Sequence, residues 1–165
     1  MGRIGRRQRR RQASTRRRGD VRAGVARQIA VQGVAVMADS LRLAEQDWPV
    51  HYTVGLTRLE GHPEIVVVGE CDDCAERMLR GAADVVRRGT RLAPGWGLTL
   101  EGWLHVLIEV DHPELLLAAQ DTYRIPGGPP VTALQAIGTD EYGELPWESG
   151  IGSELMLGPA PLPSR

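Results

Sequence analysis

Cys71-Asp72-Asp73-Cys74 and the two His-Pro-Glu triplets, at residues 62–64 and 112–114, are where side-chain type and spacing could carry chemistry. The cysteine pair opens a strongly periodic segment, and the positive end of a helix lowers a thiol pKa, whereas the two intervening aspartates repel a thiolate. A redox Cys-x-x-Cys usually sits in a thioredoxin-like βαβ context. The sequence does not suggest one, so the pair reads as structural or incidental. Cys71, Cys74 and His62 would make an incomplete zinc set without the paired Cys/His spacing of a structural site, and no metal is expected. His62 and Glu64 offer an acid–base pair, a histidine titrating near neutrality beside a carboxylate. The plainer reading is a turn in which Pro63 fixes the backbone and both side chains tie down the neighbouring strand, and that reading is favoured. His112-Pro113-Glu114 follows Asp111 in the pattern of a helix start.

A second constellation comes from alternation. Between Leu98 and Val110, one face carries Leu98, Leu100, Leu104, Val106, Ile108 and Val110, and the other Thr99, Glu101, Trp103, His105, Leu107 and Glu109. An aromatic floor with titratable neighbours suits a small-ligand pocket, which Tyr52, Gln135 and Trp147 would complete if their strands were adjacent. The bland counterpart is a strand face covered by a loop. The candidate ligand-binding residues are therefore Tyr52, His62, Glu64, Glu101, Trp103, His105, Gln135 and Trp147, with no catalytic residue assigned.

The elements that must position them follow from periodicity. Val50 to Leu56 alternates as a strand, and Ile65 to Val68 is a β-branched run suited to a strand buried on both sides. Asp72 to Arg88 repeats Ala75, Met78, Leu79, Ala82, Val85 and Val86 at helical spacing, with acids at its start, arginines at its end and Gly89 as a stop. Leu98 to Val110 reads as one long strand bent at Gly102, a helix then runs from Asp111 to about Arg124, and Val131 to Ile137 forms a last strand. Ser40 to Gln46 is a candidate short helix. The expected order is β-β-α-β-α-β, an α+β single domain with a mixed or antiparallel sheet and two main helices packed against it.

Length and charge bound the rest. The chain has 165 residues, 42% of them apolar, enough for one domain with a core. Residues 1–27 hold 11 of the 20 arginines and a single acid, so the remainder carries 9 arginines against 20 acids. Residues 1–36 read as a disordered basic arm, residues 37–148 as the domain and residues 149–165 as a flexible tail. Met37 is a candidate true start of translation, which would make the preceding residues dispensable for folding. The arm could bind nucleic acid nonspecifically through counterion release. No apolar run approaches a bilayer span, and two cysteines three positions apart cannot build a disulfide-stapled secreted fold, so a cytoplasmic location without membrane association is expected. There is no Gly-x-Ser-x-Gly elbow, Walker loop or dinucleotide fingerprint, and no cofactor is expected.

Tyr52-Thr53-Val54-Gly55-Leu56, His62-Pro63-Glu64 and the ending Leu134-Gln135 with Asp140, Gly143, Pro146 and Trp147 resemble a bacterial family of uncharacterised domains called DUF4262, over about residues 45–148. The resemblance implies no catalytic assignment. The favoured function is a non-enzymatic module binding a small molecule or a protein. The alternatives are an enzyme using His/Glu acid–base chemistry, from His62 and Glu64 or from His105 and Glu101, and nucleic-acid association through the arm.

Overall fold

The protein is described from a computed structural model covering residues 19–43, 45–150 and 152–160. Six strands form one mixed sheet: β1 (Ala35–Leu43), β2 (Gln46–Val54), β3 (Glu64–Val68), β4 (Gly97–Leu100), β5 (Trp103–Glu109) and β6 (Ala133–Gly138), in the spatial order β1-β2-β3-β6-β5-β4. Only β3 and β6 run parallel, with Ile65 opposite Leu134 and Val66 opposite Gln135. The other four pairings are antiparallel. The β-branched run of β3 is buried on both faces: Ile65 and Val67 meet helix α2 (Asp72–Arg87), while Val66 joins the opposite core.

Helix α2 lays Ala75, Met78, Leu79, Ala82, Ala83 and Val86 onto the sheet, the face read from its periodicity. The opposite face is covered by α1 (residues 19–32) and α3 (Leu117–Tyr123), through Val25, Leu116, Ala118 and Ala119. A short helix, α4 (Pro146–Ser149), follows β6. The α+β class with helices against a mixed sheet is thus as expected, but the element order is richer than β-β-α-β-α-β.

Three differences have physical causes. First, the supposed arm is structured from residue 19 onward. Val25 and Ile29, one helical turn apart, bury against the body, and Gly33 ends α1 in the left-handed conformation, its N–H donated to the Ile29 carbonyl. Residues 35–43, which take in the last two residues of the expected arm and the start of the helix expected over Ser40 to Gln46, form the edge strand β1, paired with β2 along its full length. Met37 lies inside this strand. Part of the expected basic arm, residues 1–18, lies outside the described residues.

Second, the long strand is a hairpin. Glu101 and Gly102 both have positive φ, 51° and 84°, the backbone of a two-residue turn whose twist matches its flanking strands. β4 and β5 therefore pair, Leu100 opposite Trp103 and Leu98 opposite His105. Such a turn also changes the faces: cross-strand partners point to the same side, so Leu98 and Leu100 lie with Trp103, His105 and Leu107, not on the opposite face as continuous alternation implied. Third, the helix expected from Asp111 divides into a 3-10 turn, Pro113–Leu115, and α3, with no side-chain cap. Tyr52 caps α3 instead, its hydroxyl oxygen accepting the Ala118 N–H at 3.2 Å.

The expected flexible tail is also partly held. Gln135 donates to the Leu155 carbonyl at 2.7 Å and accepts the Leu157 N–H at 2.6 Å, and Asp111 donates its N–H to the Leu157 carbonyl.

Candidate functional site

Parallel pairing brings the carboxyl ends of β3 and β6 side by side, and their chains then part. β3 leads through Gly69 and Glu70 to Cys71, the N-cap of α2. β6 leads through Thr139 to Asp140, whose Oδ1 accepts the N–H groups of Tyr142 and Glu144 and folds the loop back on itself. Divergence at neighbouring strand ends opens a crevice, the place where open sheets offer ligands a site. Two adjoining cavities fill it, of about 440 and 230 Å³, sharing Glu70, Gly138, Thr139 and Asp140.

The larger cavity lies between the N-terminal turns of α2 and the β4–β5 hairpin, lined by Cys74, Arg77, Glu101, Trp103 and His105 among others. His105 is only 4% exposed. Its Nδ1 lies 3.0 Å from the Trp103 carbonyl, which can only accept, so Nδ1 carries the proton. Nε2 is left with a lone pair and has no protein partner among the described residues. Burial pushes the His105 pKa below its ordinary value, against the opposing pull of the Trp103 carbonyl and Glu70, so the neutral ring is favoured. Gly138 stands opposite His105 in the β5–β6 register, and a methyl group there would lie 3.2 Å from Nε2. The glycine makes room for the ring.

The walls are acidic. Glu70, Glu101, Asp140 and Glu141 face one cation, Arg77, whose Nε donates to Glu101 Oε2 at 2.6 Å. Trp103 is 56% exposed at the mouth. Cys74, on the same wall, is joined to Cys71 by a disulfide.

Of the eight residues singled out from sequence, Glu101, Trp103 and His105 meet in this cavity, and Gln135 lines its smaller neighbour with both polar atoms engaged by the 155–157 segment. Tyr52 is buried as the α3 cap. Trp147, half-buried in α4, lines neither cavity.

His62 and Glu64 are absent from both linings too, and each has a complete set of partners. His62 Nε2 accepts the Leu92 N–H at 3.0 Å, so its proton is on Nδ1, which donates to the Pro63 carbonyl at 2.6 Å. Burial lowers its pKa, and Arg91 lowers it further against the pull of the Pro63 carbonyl. Glu64, fully buried, accepts five hydrogen bonds: from Thr53 Oγ1, the N–H groups of Gly55, Leu56 and Thr57, and Thr57 Oγ1, at 2.7–3.2 Å. Gly55, at φ 141°, has the backbone that lets three successive N–H groups turn inward. Neither residue is arranged to reach a substrate. The sequence reading missed Glu70, Arg77, Gly138 and Asp140 as site residues; a signal was present in their places directly after two buried strands and on the helix that follows one of them.

Among the described residues no group of three or more His, Cys, Asp or Glu side chains is gathered to hold a metal ion. No described helix is long and apolar enough to cross a membrane.

Sheet order and crevice define an α+β domain built around one parallel strand pair, with a cleft at the carboxyl ends of that pair. The chain belongs to the family described as Domain of unknown function (DUF4262), which matches residues 27–152. The match begins within α1, earlier than the resemblance read from sequence. No curated protein and no solved structure matches the chain.

Proposed function

We propose that this domain is a non-enzymatic binding module for a small organic ligand carrying a positively charged nitrogen, held in the crevice beyond β3 and β6. The observation that carries the reading is His105: a buried neutral imidazole with one nitrogen engaged and the other free to accept, on the wall of a cavity of about 440 Å³. A free acceptor calls for an N–H or O–H donor on the ligand. Four carboxylates against one arginine already paired with Glu101 favour a cation and disfavour an anion. The exposed indole of Trp103 supplies a face on which an ammonium or guanidinium can rest.

Binding is favoured over acid–base catalysis because the histidine–carboxylate pair of the first His-Pro-Glu triplet, His62 and Glu64, is committed to the fold. The other pair, His105 and Glu101, shares the cavity, but Glu101 is tied to Arg77. The cytoplasmic, bacterial setting expected from sequence is kept as part of the proposal. A panel of small amines, neutral amides and carboxylic acids, screened by ligand-observed NMR, tests it. Amines should bind and carboxylic acids should not; preferential binding of the acids would overturn the reading.

A further inference from the structure

The Cys71–Cys74 disulfide joins two residues of one helical turn. Loop-closure entropy rises with the number of residues enclosed, so a bridge this short constrains the unfolded chain little, and it fastens no two elements together. Its surroundings suit exchange instead. Cys71 is exposed and caps a sixteen-residue helix, its Sγ accepting the Cys74 N–H at 3.2 Å. That contact and the positive end of α2 stabilise a Cys71 thiolate once the bridge opens. Cys74 is half-buried, on the wall that also carries the unpartnered nitrogen of His105. In the reducing cytoplasm read for this chain, disulfides that do form are transient and catalytic or redox-sensing rather than structural.

We propose that Cys71 and Cys74 form a dithiol–disulfide exchange site that takes electrons from a neutral or cationic dithiol. A thiol of the reductant loses its proton to solvent, and its thiolate attacks Cys71 Sγ. The Cys71–Cys74 bond breaks, and Cys74 leaves as a thiolate and takes up a proton. The second thiol of the reductant, deprotonated in turn, attacks its own sulfur of the mixed disulfide and expels Cys71 as a thiolate. The reductant ends as a disulfide, oxidised by two electrons, and the protein as a dithiol. Partner choice follows from charge. Glu70, Asp72 and Asp73 flank the bridge; among the basic groups near them are His51, whose Nε2 lies 3.0 Å from Asp72 Oδ1, His105 on the side of Glu70, and Arg77, which is drawn to Asp73 but already paired with Glu101. An anionic thiol such as glutathione is repelled, whereas an uncharged one is not. None of these steps uses the ligand proposed for the crevice.

The test reduces the full chain with dithiothreitol, and in parallel with 2-mercaptoethanol or glutathione, then counts thiols by maleimide gel shift and mass spectrometry. Expected are complete, reversible reduction without unfolding, and reduction by glutathione about tenfold or more slower than by 2-mercaptoethanol at low salt, a gap that narrows as salt screens the acids. In the reduced protein, iodoacetamide at pH 6.5 should alkylate Cys71 about tenfold faster than Cys74. Cys74→Ser should trap a mixed disulfide with hydroxyethyl disulfide at Cys71, and Cys71→Ser, which keeps a good N-cap, should trap far less. A bridge reducible only after unfolding in urea, or faster alkylation at Cys74, would overturn the proposal.

Discussion

Replacing Glu64 is expected to be among the most damaging single changes in this fold, because one fully buried carboxylate satisfies five donors. In Glu64→Ala the N–H groups of Gly55, Leu56 and Thr57 and the hydroxyl of buried Thr53 lose their acceptor, while Thr57 Oγ1 can turn to solvent. Four stranded donors at about 1–3 kcal/mol each, softened by water entering the space, give a loss of roughly 4–6 kcal/mol. Glu64→Gln separates charge from shape. An amide oxygen in the place of Oε1 keeps the bonds from Gly55 and Thr57, but its NH2 then faces the Leu56 N–H. The loss should be about 2–3 kcal/mol, mostly one charge-assisted bond and one donor–donor clash. Urea unfolding of the three proteins at pH 7, fitted with a common slope, reads these values as shifts of midpoint. Losses below about 0.5 kcal/mol for both variants, within the range of ordinary surface substitutions, would refute the reasoning.

Removing residues 1–36 should cost about 3–6 kcal/mol from Val25 and Val34 alone, both 2% exposed, before any loss of β1 pairing. A thermal midpoint unchanged from the full chain would show that α1 and the start of β1 contribute nothing. His62 and His105 both have pKa values lowered from 6.5 by burial, so the unfolded chain binds more protons just below that pH. Stability should therefore be full above pH 6.5 and fall as the pH drops below it towards the lowered folded-state pKa values. His62→Ala should begin about 1–3 kcal/mol less stable, with Leu92 N–H left unpaired, and show a shallower dependence over the same window. Gly138→Ala should crowd His105 Nε2 at 3.2 Å and weaken amine binding while the urea midpoint moves little; unchanged affinity would separate that nitrogen from the site.

Legibility in the sequence tracked how local each signal was. α2 was readable because its apolar positions, terminal charges and Gly89 all agree within one segment. β1 was not: as an edge strand it exposes Ala38, Asp39 and Ser40, and its identity rests on pairing with β2, which no local pattern encodes. The Glu101–Gly102 turn hid for a different reason: apolar and polar residue types keep alternating along the sequence across it, although the reversal puts Leu100 and Trp103 on one face. In the site, Trp103 and His105 were legible as neighbours on one strand face, whereas Glu101, read as part of that face, belongs to the hairpin turn. Their partners Glu70, Cys74 and Asp140 come from loops and a helix brought near only by the parallel pairing of β3 with β6. The motifs that carry the family resemblance, Thr53 to Leu56 and His62 to Glu64, were visible in sequence, and their role in holding the β2–β3 connection became plain only from the five donors around Glu64.

The central claim is that His105 accepts a hydrogen bond from a cationic ligand in the crevice. Isothermal titration of the tightest amine from the screen into wild type and His105→Ala, alongside urea melts of both, tests it most directly. Loss of a bond to a charged donor, about 1.5–3 kcal/mol, should weaken binding by roughly 10- to 100-fold while the variant still unfolds cooperatively. Affinity retained within about twofold in a folded His105→Ala protein, a difference far below one hydrogen bond, would contradict the account.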